Sequence, residues 1–128
     1  MYMRIKITIG KLAVFATLNE SRTAKLVWEN LPMKAKGELW GEEVYFYIKP
    51  KIGIEKEYAA EVVKVGDVAY WPEGPCMCLF FGPTPNSSDG KIRPASAVNV
   101  FGKLEGDPRL LAGVKSGDPI KVEKNKEI

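Results

Sequence analysis

The sequence predicts an all-β domain, closed into an antiparallel barrel of about eight short strands, with one main helix early and one short helix late. Three observations lead there. Apolar and polar residues alternate with period two in run after run, as half-buried strands require. Clusters of Gly, Pro, Asn and Asp separate these runs at short intervals. Only one stretch combines helix-capping chemistry, helix-favouring residues and a proline stop. Closure removes the exposed edges that so many strands would otherwise present. A two-sheet sandwich is the rival arrangement of the same pattern. The 128 residues suit a single domain, 1–128.

The elements follow in order. Met3, Ile5, Ile7 and Ile9 share one face, and Arg4, Lys6 and Thr8 the other. Gly10-Lys11 turns the chain, and Leu12, Val14, Ala16 and Leu18 repeat the alternation, which reads as an opening hairpin. Asn19 and Ser21 both offer capping oxygens for a helix with Ala24, Val27 and Leu31 on one side, stopped by Pro32. Strands are expected near Lys34–Trp40 and Val44–Ile48, with Gly41-Glu42-Glu43 as the turn between them. Loop follows from Pro50 to Glu57, then an extended arm from Tyr58 to Val65 and a strand at Val68–Trp71. The run Cys76–Phe81 is apolar at every position, so it is expected to be covered on both faces. Gly82 to Pro94 is the longest irregular stretch, and loops of such length often carry function. Ala97–Leu104 returns to strand, Asp107 caps a helical turn opening at Pro108, and Ile120–Glu123 is the last strand, expected beside the first.

Composition narrows the function. Basic and acidic residues number 19 and 16, for a net charge of +3, and the signs are interspersed. Lys49, Lys51 and Lys56, for example, are offset by Glu55 and Glu57. A nucleic-acid binder gathers its cations on one stripe, so no nucleic-acid partner is expected. No apolar run approaches the roughly 20 residues of a membrane span, so no membrane partner is expected either. The N-terminal residues lack a signal-peptide core, which predicts a cytoplasmic protein. Enrichment in Lys and Glu, with no Gln at all, resembles the composition of heat-adapted proteins. The absence of His removes the commonest general base at neutral pH and every His-dependent triad or zinc site. Cys76 and Cys78 stand alone, too few to complete a zinc site and too close for an ordinary structural disulfide; they are expected as buried thiols. No cofactor and no metal are expected.

Three phrases run through the chain: Leu39-Trp-Gly-Glu-Glu-Val-Tyr-Phe46, Gly66-Asp-Val-Ala-Tyr-Trp-Pro-Glu-Gly-Pro-Cys-Met-Cys-Leu-Phe-Phe-Gly82 and Pro94-Ala-Ser-Ala-Val-Asn-Val-Phe-Gly-Lys103. In this order they resemble an atypical cyclophilin-like family of uncharacterised thermophilic bacterial and archaeal proteins. The resemblance implies the cyclophilin-like barrel. It also implies a groove, with Tyr47, Trp71, Met77, Phe80 and Phe81 on the strands that carry it. Glu73 lies in the turn beside that groove, and Arg93 leaves the long loop toward its mouth.

Departures from true cyclophilins bear on activity. Their catalytic strand reads Phe-His-Arg-Ile-Ile-Pro, with the Arg donating to the prolyl nitrogen; the matching text here is Tyr45-Phe-Tyr-Ile-Lys-Pro50, which sets Tyr47 at or beside the Arg position. Isomerisation faces a barrier of roughly 20 kcal/mol and needs an apolar pocket with a donor aimed at that nitrogen. The pocket is expected; the charged donor is missing unless Arg93 supplies it.

Blander readings stand beside these. One ring of Phe80-Phe81 must face the barrel interior, and Trp71 and Tyr70 split the same way. Arg93 suits a surface or ion-paired position. Glu42-Glu43 reads as a turn and a solvated face. Three function classes stay open: a groove for a proline-containing or extended peptide, with or without weak prolyl isomerase activity; a small-molecule pocket in the same groove; and a scaffold without ligand. The partner is then a peptide or a small molecule, and the oligomeric state is open.

Overall fold

In the computed structural model, which describes residues 3–125, the opening alternation becomes a hairpin of β1 (Arg4–Ile9) and β2 (Leu12–Leu18). Gly10 turns it at φ 58°, a left-handed conformation that costs glycine little. Ile5, Ile7 and Ile9 point inward and are buried, each contributing about 1.5–3 kcal/mol by leaving water.

The helix α1 spans Arg22–Glu29. Of the two expected caps, Ser21 serves, its hydroxyl accepting from the Ala24 N–H at 3.0 Å, while Asn19 accepts from the Ser21 N–H. A distant residue completes the cap. The Glu55 carboxylate accepts from the Arg22 and Thr23 N–H groups at 3.1 and 2.6 Å, which answers donors that a helix start leaves unpaired. Buried Asn99 ties this corner together, donating to Thr23 Oγ1 and Gly53 O and accepting from the Glu55 N–H.

The remaining strands are β3 (Met33–Lys36), β4 (Glu38–Leu39), β5 (Glu43–Tyr47), β6 (Ala59–Ala60), β7 (Asp67–Trp71), β8 (Cys76–Phe80), β9 (Val98–Leu104) and β10 (Pro119–Lys124). A 3₁₀ turn capped by Asp107 covers Pro108–Gly113. The sheet runs β3-β10-β1-β2-β9-β7-β8-β5-β4, antiparallel throughout, with β6 paired to β9 outside that path. The last strand does lie beside the first. Its two end strands, β3 and β4, are one stretch of chain broken at Gly37, so the chain itself carries the sheet round to a nearly closed barrel. A Cβ on Gly37 would stand 2.9 Å from Ile120 Cδ1, and glycine allows that approach. The expected eight strands become ten among the described residues, because β3 and β4 divide one strand and β6 is a two-residue pairing.

Alternation sorts the strands into two faces. Val44, Phe46, Val68, Met77, Leu79 and Phe101 join the main core inside the barrel. On the outer face, Ala69, Cys76, Cys78, Phe80, Val63 and Val98 form a second, smaller cluster. Both cysteines are free thiols and buried. Tyr70 belongs to the inner face, yet its hydroxyl donates to Pro50 O at 2.8 Å and accepts from the Ile52 N–H at 3.0 Å, anchoring the loop that follows β5. No helix is long and apolar enough to cross a membrane among the described residues.

Candidate functional site

The outer face of the barrel carries an apolar pocket of about 300 Å³. Strand β5 supplies Glu43, Tyr45 and Tyr47, three residues at the two-residue spacing that shares one face. Cys78 of β8, paired in register with Tyr45, forms the floor with Glu43. Trp71 enters from the end of β7 and Val98 from the start of β9. Trp40, from the turn before β5, and Pro94 and Ala95, from the long loop, complete the wall.

That loop is folded by its own polar side chains. The Ser87 hydroxyl accepts from the Thr84 N–H at 2.9 Å and from the Arg93 N–H at 3.0 Å. The Thr84 hydroxyl donates to Arg93 O, and Asn86 Nδ2 donates to Pro94 O at 3.1 Å. The chain is thereby turned back so that Pro94–Ser96 meets the β5–β8–β7 face. There the Trp71 indole N–H donates to Ser96 Oγ at 2.6 Å, and the Ser96 hydroxyl donates to the Glu73 carboxylate.

Glu43 is the group the sequence reading missed. Its neighbour Glu42 is exposed, but Glu43 itself is only 5% exposed, and its Oε1 has no hydrogen-bond partner. The solvated pair expected at this turn is therefore corrected: β5 begins one residue earlier than the period-two run suggested, at Glu43, which turns that side chain onto the covered outer face. Burial raises its carboxyl from the usual 4.5 to about 7, against a smaller opposing effect of the Cys78 thiol hydrogen bond. Burial and the Glu43 carboxylate together push the Cys78 thiol well up, so it stays protonated and unreactive. Burial, with the charge of Glu38 behind it, raises the Tyr45 phenol as well. Among the described residues, no lysine or arginine lines the pocket. Among the described residues no three Cys, Asp or Glu side chains gather as a metal site would need. The arrangement offers aromatic surface and one carboxyl poised between its two protonation states.

Tyr47 and Trp71 line the pocket as expected, and Glu73 stands at its rim through Ser96. Met77 and Phe81 do not: both belong to the core inside the barrel, because alternation along β8 pairs residue 77 with Leu79 and gives the outer face to Cys76, Cys78 and Phe80. Phe80 is on the outer face but fully buried in its cluster, opposite Glu43 in the β5–β8 register. Arg93 precedes the lining residue Pro94 with its backbone tied into the loop, and it is not part of the wall. The signal that could have found Tyr45 and Glu43 was the same alternation, counted back from Tyr47.

The family model described as cyclophilin-like matches residues 3–123. The solution structure of a hypothetical protein from Archaeoglobus fulgidus is similar across nearly the whole chain, with 39% sequence identity and a TM-score of 0.81, covering 97% of this chain and 95% of that one. No curated protein matches the sequence.

Proposed function

Because this chain belongs to the cyclophilin-like family, we propose that it binds an extended segment carrying a proline or a comparably compact ring, seated in the outer aromatic pocket. The carrying observation is the convergence of Trp40, Tyr45, Tyr47 and Trp71 from two strands and a turn around one opening. Tyr47 is 67% exposed, far more than the barrel core can account for. Aromatic-lined grooves suit prolyl segments because the flat rings pack on a residue whose backbone is already restrained. Size favours a side chain of a longer ligand: about 300 Å³ is the lower end of pockets that engulf a whole small molecule. The same pocket with its buried carboxyl supports a second reading, a small neutral ring compound held alone.

Binding, with prolyl isomerisation weak if present, fits the pocket chemistry better than efficient catalysis. The position that resembles the cyclophilin arginine falls at or beside Tyr47, and a phenol lacks the charge that strengthens a hydrogen bond to the twisting nitrogen. Titrating ¹⁵N-labelled protein with acetyl-Ala-Pro-Ala-amide and with its alanine counterpart tests the proposal. Selective shifts of the Tyr45, Tyr47 and Trp71 resonances with the prolyl peptide are expected. Equal or absent shifts with both peptides would remove the peptide reading.

A further inference from the structure

We infer that Glu43 is the polar anchor of this pocket: its protonated carboxyl donates a hydrogen bond to an uncharged acceptor oxygen, an amide or ketone carbonyl, on the bound ligand. This rests on the ligand-pocket reading above and adds the atom that the ligand must present.

The geometry comes first. Glu43 lines the pocket, is 95% buried by its 5% exposure, and leaves Oε1 without a partner. Buried polar atoms in native proteins are nearly always paired, and each orphan costs about 1–3 kcal/mol. Nothing in the barrel requires a carboxyl here: the neighbouring outward positions, Cys78, Phe80 and Val98, are apolar or weakly polar. A group kept at such a cost in the wall of an open pocket is explained by a partner that reaches it through that pocket.

The surroundings decide which form meets that partner. On β5 the titratable neighbours are Tyr45 and Tyr47; on β8 they are Cys78 and, further along, Cys76. From β4, Glu38 adds negative charge that is felt at Tyr45. From β7 comes Trp71, with Glu73 beyond it engaged by Ser96, and from the loop Pro94 and Ala95, which do not titrate. Glu42, next in the chain, lies exposed over Gly82. Not one of these groups is a cation, and the Cys78 thiol offsets only part of the loss of water around a charged carboxylate, so the neutral acid is favoured. A neutral acid is a donor, and its complement is a carbonyl oxygen. The prolyl amide bond carries such an oxygen beside a compact ring, as do lactams and cyclic ketones. The chief rival is a cationic ring, attracted by the aromatic faces and by an ionised Glu43.

Three probes separate these: acetyl-Ala-Pro-Ala-amide, N-methylpyrrolidone and pyrrolidinium, each titrated into the protein near pH 6 and near pH 8 and followed by ¹⁵N resonance shifts. Only the protonated fraction binds a carbonyl, so the two neutral probes are expected to bind about tenfold more weakly at the higher pH. Glu43→Gln keeps an N–H donor and is expected to abolish that pH dependence while preserving binding. Glu43→Leu removes the donor and is expected to weaken binding at both pH values. Each variant removes a buried ionisable group, and its own amide spectrum reports whether the fold is kept. Pyrrolidinium binding in preference and more tightly near pH 8 would overturn the inference. So would carbonyl probes bound alike by wild type and Glu43→Leu, or no binding of any probe. If N-methylpyrrolidone binds with the expected pH dependence and the peptide does not, the anchor stands and the extended-segment reading falls.

Discussion

Trp71 and Ser96, 25 residues apart, are joined by a 2.6 Å hydrogen bond from the indole N–H to the hydroxyl, and this bond fastens the long loop to the rim of the pocket. The Ser96 hydroxyl passes the interaction on to Glu73, so one short polar chain holds the indole at a set angle to the opening. Ser96→Ala is expected to cost about 0.5–1.5 kcal/mol of stability, the usual net worth of such a bond. Its larger effect is expected on ligand affinity, since Trp71 is then free to rotate. Tryptophan fluorescence anisotropy alongside a binding titration checks this; unchanged affinity would mean that the indole needs no such restraint.

Tyr47 and Met77 separate surface from core. Tyr47→Ala removes a ring that is 67% exposed, so stability is expected to change by no more than about 0.5 kcal/mol while prolyl-peptide binding is lost. Met77→Ala empties space inside the barrel and is expected to cost about 2–5 kcal/mol with the pocket intact. Denaturant unfolding and peptide titration of both variants provide the comparison. A large loss of stability in the first, or of intrinsic affinity in the second, would contradict the assignment of faces.

Glu43 makes stability depend on pH in a definite direction. Its folded-state carboxyl is raised from 4.5 to about 7, so the folded protein holds a proton there that the unfolded chain has released. The stability this position allows is therefore fullest below about pH 4.5, declines as pH rises toward 7, and stays low above it. Glu43→Gln escapes the decline. Its advantage over wild type is expected to be near zero at the acid end and about 1–3 kcal/mol above neutrality. Thermal unfolding across that range measures it, and a constant difference between the two proteins would show that Glu43 does not titrate in this window.

Prolyl isomerase activity is expected to fall on the order of a hundredfold or more below that of true cyclophilins. A preorganised charged donor is commonly worth roughly 3–4 kcal/mol, and Tyr47 stands at or beside the position where the resemblance sets that donor. Arg93 does not line the pocket, so Arg93→Ala is expected to leave any residual rate unchanged. A protease-coupled assay with a proline tetrapeptide measures both proteins. Turnover at full cyclophilin rates would refute the reasoning from the missing guanidinium, and a loss of rate in Arg93→Ala would show that the loop reaches the site.

The sequence by itself determined the hairpin of β1 and β2, the cap and stop of α1, the buried thiols and the cyclophilin-like barrel. These depend on alternation, capping and turn chemistry, which act between residues close together in the chain, and on phrases long enough to mark a family. Tertiary structure alone decided which face of β8 looks inward. An all-apolar run such as Cys76–Phe80 satisfies both faces equally, and only the neighbours in the sheet choose for it. Met77 and Cys78 thus exchange the roles that the groove reading gave them. Glu43 illustrates the same limit: in the chain it is one of two adjacent turn carboxylates, and its burial comes from β8 and a loop some fifty residues away. Desolvation is a property of what covers a group, so the raised carboxyl at the pocket floor exists only once the barrel has closed and the loop has folded back.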